Sequence, residues 1–189
     1  MILLVDNYDS FSHNLVQAIE AQGGAVELRR NDDRELLQLD PGSYGGLLLG
    51  PGPGRPEAAG ALMEVLARFY DRRPILGVCL GMQALALHHG AEVGMAPRPL
   101  HGRIESIHHD GQGLYSGLPS PLQATRYHSL CVLKPTLPPA LKVTAYSEDQ
   151  VIMGLRDERA RAEGFQFHPE SVASRQGPAL IAAFLREVR

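Results

Sequence analysis

Apolar positions along this chain follow two rhythms. In the first half, short apolar runs alternate with amphipathic stretches. Ile2-Leu3-Leu4-Val5, Leu47-Leu48-Leu49 and Pro74-Ile75-Leu76-Gly77-Val78 are runs of strand length, and Ala25-Val26-Glu27-Leu28 reads as a further strand. Unbroken apolar runs of this length suit strands covered on both faces, as in a parallel sheet. Between them, Leu15, Val16 and Ile19 recur at helical spacing, with Asp9 and Ser10 as candidate caps and Gly23-Gly24 as the stop. A short helix is expected over 36–39, closed by Pro41-Gly42. A longer one is expected over 57–70, with Leu62, Val65, Leu66 and Phe69 on one side, and another over 83–89.

From about residue 100 the rhythm changes. Turn residues separate short β-prone runs at 104–107, 124–127, 130–133, 141–146 and 151–155, which predict mainly antiparallel strands. Residues 164–167 read as a last strand and 178–188 as a last helix, with Pro178 at the first helical position. Alternating strand and helix units predict an α/β fold: a doubly wound, flavodoxin-like, mainly parallel sheet with a smaller antiparallel extension. No repeat, linker or low-complexity tract divides the chain, so one domain is expected over 1–189.

Composition narrows the function classes. The chain has 189 residues, 44% hydrophobic and 21% charged, enough for a core of ordinary globular kind. A net charge of −3 with scattered basic residues gives no electrostatic case for nucleic acid or an anionic membrane. The longest apolar stretches are too short to span a bilayer, and no signal peptide is visible. The expected setting is cytoplasmic, with Cys79 and Cys131 as free thiols.

Gly77-Val78-Cys79-Leu80-Gly81 places a cysteine between flanking glycines, at the joint of an apolar strand and a helix. In that context a sharp turn lifts the nucleophile above the sheet, the Leu80 amide faces a developing oxyanion, and the helix start favours thiolate. Most free cysteines are buried packing residues. Cys131, in the apolar run Leu130-Cys131-Val132-Leu133, fits that description; Cys79 does not. A cysteine nucleophile needs a base and the base an orienting group. Phe167-His168-Pro169-Glu170 supplies both: in an extended segment His168 and Glu170 share a face. The adjacent pairs His88-His89 and His108-His109 suit surface or structural roles, and no cysteine, histidine and acid cluster of metal-site spacing occurs. Gly50-Pro51-Gly52-Pro53-Gly54 lacks the ending of a phosphate-binding loop, and proline supplies no N–H. It is either a rigid connector or a stiff loop in which Gly52 offers a second oxyanion donor.

Taken together, the Gly50–Gly54 loop, Gly77-Val78-Cys79-Leu80-Gly81-Met82-Gln83 and Phe167-His168-Pro169-Glu170-Ser171 resemble the class I (triad) glutamine amidotransferases. Leu4-Val5-Asp6-Asn7-Tyr8-Asp9-Ser10-Phe11, Arg29-Arg30-Asn31-Asp32, His101-Gly102-Arg103, Arg126-Tyr127-His128-Ser129-Leu130 and Ile152-Met153-Gly154-Leu155-Arg156 narrow the resemblance to the glutaminase subunits of anthranilate synthase and aminodeoxychorismate synthase. It spans essentially the whole chain.

The resemblance implies that Cys79 attacks L-glutamine to give a γ-glutamyl thioester. His168 then protonates the departing ammonia and activates water, and Glu170 orients His168. The amides of Gly52 and Leu80 form the oxyanion hole. Gly52, Pro53, Gly54, Gln83, Ser129 and Leu130 bind the substrate, with His128 shaping the site. It also implies a larger chorismate-binding synthase subunit (anthranilate synthase component I or aminodeoxychorismate synthase component I) that receives the ammonia, carries any magnesium and raises the glutaminase rate. No metal or cofactor is expected in this chain. Two departures stand out: Met82 replaces a frequent histidine, and Ser171-Val172-Ala173-Ser174 is atypical and expected to affect only local packing. Two rival readings are a stand-alone thiol hydrolase of γ-glutamyl or other peptides and a non-catalytic subunit on the same scaffold.

Overall fold

The computed structural model describes residues 1–188, so Arg189, the last residue of the expected domain, lies outside the described residues. The elements are β1 (Ile2–Asp6), α1 (Ser12–Ala21), β2 (Val26–Arg30), β3 (Gly46–Leu49), α2 (Leu62–Phe69), β4 (Ile75–Val78), α3 (Leu80–His88), β5 (Val93–His109), β6 (Leu122–Val132), β7 (Lys142–Ser147), β8 (Ile152–Asp157), β9 (Ala162–Phe165) and α4 (Gly177–Glu187). The strands form a single sheet ordered β2-β1-β3-β4-β9-β8-β7-β5-β6. The first five run parallel. From β9 onward every pairing is antiparallel. This is the predicted α/β architecture with its antiparallel extension.

Strand pleating explains the apolar runs. Ile2 and Leu4 of β1, with Leu48 and Leu76, face Leu15 and Ile19 of α1 and Leu180, Ile181 and Phe184 of α4. Leu3, Val5, Leu47, Leu49 and Ile75 point the other way, onto Leu62, Val65, Leu66 and Phe69 of α2 and Leu80, Ala84 and Leu85 of α3. With helices on both faces, neither set of alternating positions can be polar. Burying each such leucine or isoleucine contributes about 1.5–3 kcal/mol.

Several boundaries differ from the sequence expectation. Residues 57–70 do not form one helix: a 3₁₀ turn over Pro56–Ala58 is separated from α2 by Gly60 at φ +56°. A Cβ at Gly60 would lie 2.5 Å from the Asn31 carbonyl oxygen, so close packing on the β2 end, not periodicity, breaks the helix there. The runs 124–127 and 130–133 are one strand, β6, because its pairing with β5 continues through the polar His128-Ser129 step. Backbone ladders do not require apolar side chains. Helix α1 is capped by Phe11 rather than by Asp9 or Ser10; Asp9 instead accepts from the Phe11 amide at 2.8 Å in the preceding turn. Helix α3 begins directly after Cys79, three residues earlier than expected, and Pro178 occupies the second position of α4.

Candidate functional site

The carboxyl ends of β1, β3, β4 and β9 converge on Cys79. Its backbone lies at φ +53°, ψ −101°, a conformation that non-glycine residues rarely adopt and that the surrounding structure must enforce. The Cys79 amide donates to the Phe165 carbonyl at 2.7 Å and its carbonyl accepts from Gln83 at 3.2 Å, which ties the turn to β9 and to α3. The flanking glycines are steric necessities. A Cβ on Gly77 would meet the Gly81 backbone at 2.5 Å, and one on Gly81 would overlap the Leu49 carbonyl. Leu80 opens α3, where amides have no carbonyl one turn back to bond, so its N–H is available above the sheet.

His168 follows β9 and is held by its backbone: its amide donates to the Thr125 carbonyl at 3.0 Å and its carbonyl accepts from the Ser174 hydroxyl at 2.6 Å. Its Nδ1 and Glu170 Oε1 are 2.6 Å apart, and both side chains are almost fully buried. The extended geometry expected for the pair is replaced by a turn closed by the Ser171 amide and the His168 carbonyl, which brings Glu170 back under the ring. Since the carboxylate can only accept, Nδ1 carries the proton and Nε2 is left for chemistry. Burial opposes a charge on His168. The Cys79 sulfur and the Glu170 carboxylate outweigh it and hold the imidazole well above its ordinary pKa. Phe11 and Tyr127 enclose the ring at 5.6 and 5.4 Å between centroids.

Two cavities meet at Cys79. One, of about 260 Å³, is lined by Gly52, Pro53, Gly54, Cys79, Gln83, Tyr127, His128, Ser129 and Leu130. The other, of about 410 Å³, runs past Tyr8, Phe11, Gly52, Cys79, Tyr127 and His168. All the substrate-binding residues expected from the sequence other than Leu80 therefore line the first cavity, and His168 lies on the second. A charged cavity of about 310 Å³, around the buried Arg156–Glu163 pair, sits at the other end of β9 and is not lined by Cys79.

The loop over 50–54 is pinned by residues to which the sequence reading attached no role. Asn7 donates to the Gly50 carbonyl at 2.9 Å and accepts from Asn31 at 3.1 Å, all buried. The segment 171–174 does more than pack locally, since Ser174 also accepts from the Thr125 amide at 3.0 Å and so splices the His168 backbone to β6. Those hydroxyls make no periodic pattern, so nothing in the sequence signalled them. Met82 is fully buried in the core and packs toward Gly164, away from the cavities. His128 is structural: its Nδ1 donates to the Leu130 carbonyl at 2.9 Å and its Nε2 accepts from Arg126 at 3.1 Å. Burial, then the Arg126 charge, lower its pKa to about 4, so it is neutral near pH 7. Cys131 is buried in β6, and both cysteines are free thiols.

A cysteine on a strained elbow, an oriented histidine and a small polar cavity form the arrangement expected of a thiol hydrolase or transferase. Residues 3–188 match the family described as Glutamine amidotransferase class-I, and the chain belongs to that family. It is 46% identical over 185 residues to aminodeoxychorismate synthase component 2 of Escherichia coli K12, spanning 98% of this chain and 99% of the relative. It is 42% identical over 192 residues to anthranilate synthase component 2 of Pseudomonas aeruginosa, spanning 99% and 96%. The fold is similar to that of a GMP synthase subunit from Thermoplasma acidophilum, with a TM-score of 0.88 and 25% identity over 99% of this chain and 92% of that one. Among the described residues no helix is long and apolar enough to cross a membrane.

Proposed function

We propose that this chain releases ammonia from L-glutamine and passes it to a larger synthase subunit that aminates chorismate. The observation that carries the reading is that Cys79, on its elbow, shares one cavity with His168, which Glu170 holds, and also lines the small polar cavity beside it. Glutamine fits with its amino-acid end between Gln83 and Ser129-Leu130 and its carboxamide at Cys79. The cysteine gives its proton to His168 Nε2 and attacks the carboxamide carbon. The Leu80 and Gly52 amides stabilise the resulting oxyanion, each donor being worth about 2.7–4 kcal/mol in comparable sites. His168 returns the proton to the leaving nitrogen, ammonia departs, and a thioester remains. Water, deprotonated by His168 Nε2, cleaves it to glutamate, and the proton returns to the Cys79 sulfur. Glu170 keeps the tautomer and stabilises the imidazolium.

The synthase partner is read as a component I type subunit, with magnesium belonging to that partner. We take anthranilate, on the way to tryptophan, as the product. Aminodeoxychorismate, on the way to folate, is the second reading, since the chain is 46% identical to that component 2 and 42% to the anthranilate one. Purifying the native complex and identifying the synthase by its product decides between them. Cys79→Ala in the complex should abolish glutamine-dependent product while ammonia-dependent product persists; glutamine use by that variant would refute the reading. Glutaminase activity of the isolated chain should be low and rise on adding the synthase.

A further inference from the structure

Buried beside the nucleophile is an amide that the mechanism above leaves unused. Gln166 is fully buried, and its Nε2 lies 3.5 Å from Cys79 Sγ. Its Oε1 accepts from Gln83 Nε2 at 3.1 Å, and the same nitrogen of Gln83 donates to the main-chain carbonyl of Leu130 at 3.2 Å. A carboxamide could turn either end toward a neighbour, but here one partner has no choice. The Leu130 carbonyl can only accept, so Gln83 must present its nitrogen; the second hydrogen of that nitrogen then claims the Gln166 oxygen, and the Gln166 nitrogen is left facing the sulfur. The same carbonyl accepts from His128 Nδ1, whose Nε2 accepts from the buried Arg126.

We propose that Gln166 is a positioning residue for Cys79: the Leu130 carbonyl, acting through Gln83, holds an N–H donor on the sulfur. A donor there is worth little to a thiol and much more to a thiolate, because the hydrogen bond becomes charge-assisted. It also aims the sulfur across the elbow. A corollary concerns Gln83: with both its hydrogens committed, it meets a ligand only as an acceptor, which suits an ammonium group. The inference builds on the nucleophile reading of Cys79, yet its test needs no glutamine.

The test is the pH profile of Cys79 alkylation by iodoacetamide, followed by mass spectrometry of the Cys79 peptide, with Cys131 as the internal control. Gln166→Met removes the donor without adding charge, and Gln166→Glu keeps the shape but puts an oxygen on the sulfur. Both should react at least tenfold more slowly near pH 7, with profiles displaced to higher pH and cooperative unfolding retained. A folded Gln166→Met protein whose profile superimposes on the native one overturns the proposal, even if Gln166→Glu is displaced, since that displacement would report only the added charge. Should neither variant fold, the native protein decides: the Gln166 side-chain ¹⁵N–¹H resonances should move along the Cys79 alkylation profile, and resonances that stay flat overturn the proposal. A failed profile alongside a Cys79→Ala complex that uses ammonia but not glutamine sinks the positioning role alone and leaves the glutaminase reading standing.

Discussion

The parallel and antiparallel parts of the sheet contribute to the site in different ways. The parallel part ends its strands in sharp turns. Gly50 follows β3, Cys79 follows β4 and His168 follows β9, so the loop and the proposed nucleophile and base stand at one sheet edge because parallel strands deliver their carboxyl ends together. The antiparallel part delivers a continuous strand instead. Along β6, Thr125 bonds the backbone of His168, Arg126 is buried against Glu105 and Asp149, His128 bonds Leu130, and Ser129-Leu130 wall the cavity. One region carries the proposed reacting groups on short loops, and the other holds them through a buried polar ladder. Reacting groups at loop tips tolerate exchange of one atom structurally but not chemically; a buried ladder fails structurally first.

That contrast can be broken by experiment. The largest effect is expected at Glu170: Glu170→Gln should lower kcat for glutamine hydrolysis roughly 10³-fold, because a neutral amide neither fixes the His168 tautomer nor stabilises the imidazolium. Its urea midpoint should stay near that of the unsubstituted protein. On the other side, Arg126→Met takes the buried guanidinium from Glu105 and Asp149, leaving Glu105 with the exposed Arg98 and Asp149 with the Ser147 hydroxyl, and removes the donor to His128, so it should destabilise the fold by about 3 kcal/mol in urea titration. If Arg126→Met keeps its stability and loses activity as Glu170→Gln does, the division between chemistry and support is wrong.

The third effect, comparable in size to the second but confined to acid pH, is a pH dependence. The folded pKa of His128, about 4, lies below the ordinary value of 6.5, so the unfolded chain takes up the proton first on acidification. The contribution of His128 is therefore fully present above pH 6.5 and is lost as pH falls toward 4, by about 3 kcal/mol in all. Comparing urea midpoints at pH 7 and 4.5 for the native protein and His128→Asn checks this. An equal acid loss in both proteins would assign it elsewhere.

Legibility in the sequence followed the same division. The parallel strands announced themselves because burial on both faces leaves only apolar residues. The elbow did so because steric closure admits only glycine at positions 77 and 81. The helix break at Gly60 and the continuity of β6 through His128-Ser129 were hidden, since one depends on contact with Asn31, distant in sequence, and the other on backbone pairing that no side chain reports. Asn7, Ser174 and Gln166 were hidden for a related reason. A buried polar side chain has no period, and its worth depends wholly on which partner the fold brings to it.

By itself, then, the sequence determined the doubly wound core and the glycine-flanked turn at Cys79, and it singled out Cys79, His168 and Glu170 as the proposed nucleophile, base and orienter, because each rests on local spacing and backbone sterics. Only the tertiary structure decided that His168 and Glu170 meet through a turn, that His128 is a neutral strut, that Met82 lies in the core, and that an amide from Gln166 faces the sulfur. Hydrogen-bond direction is settled by the partner at the far end of each chain of contacts, and those partners stand up to 87 positions apart along the polypeptide.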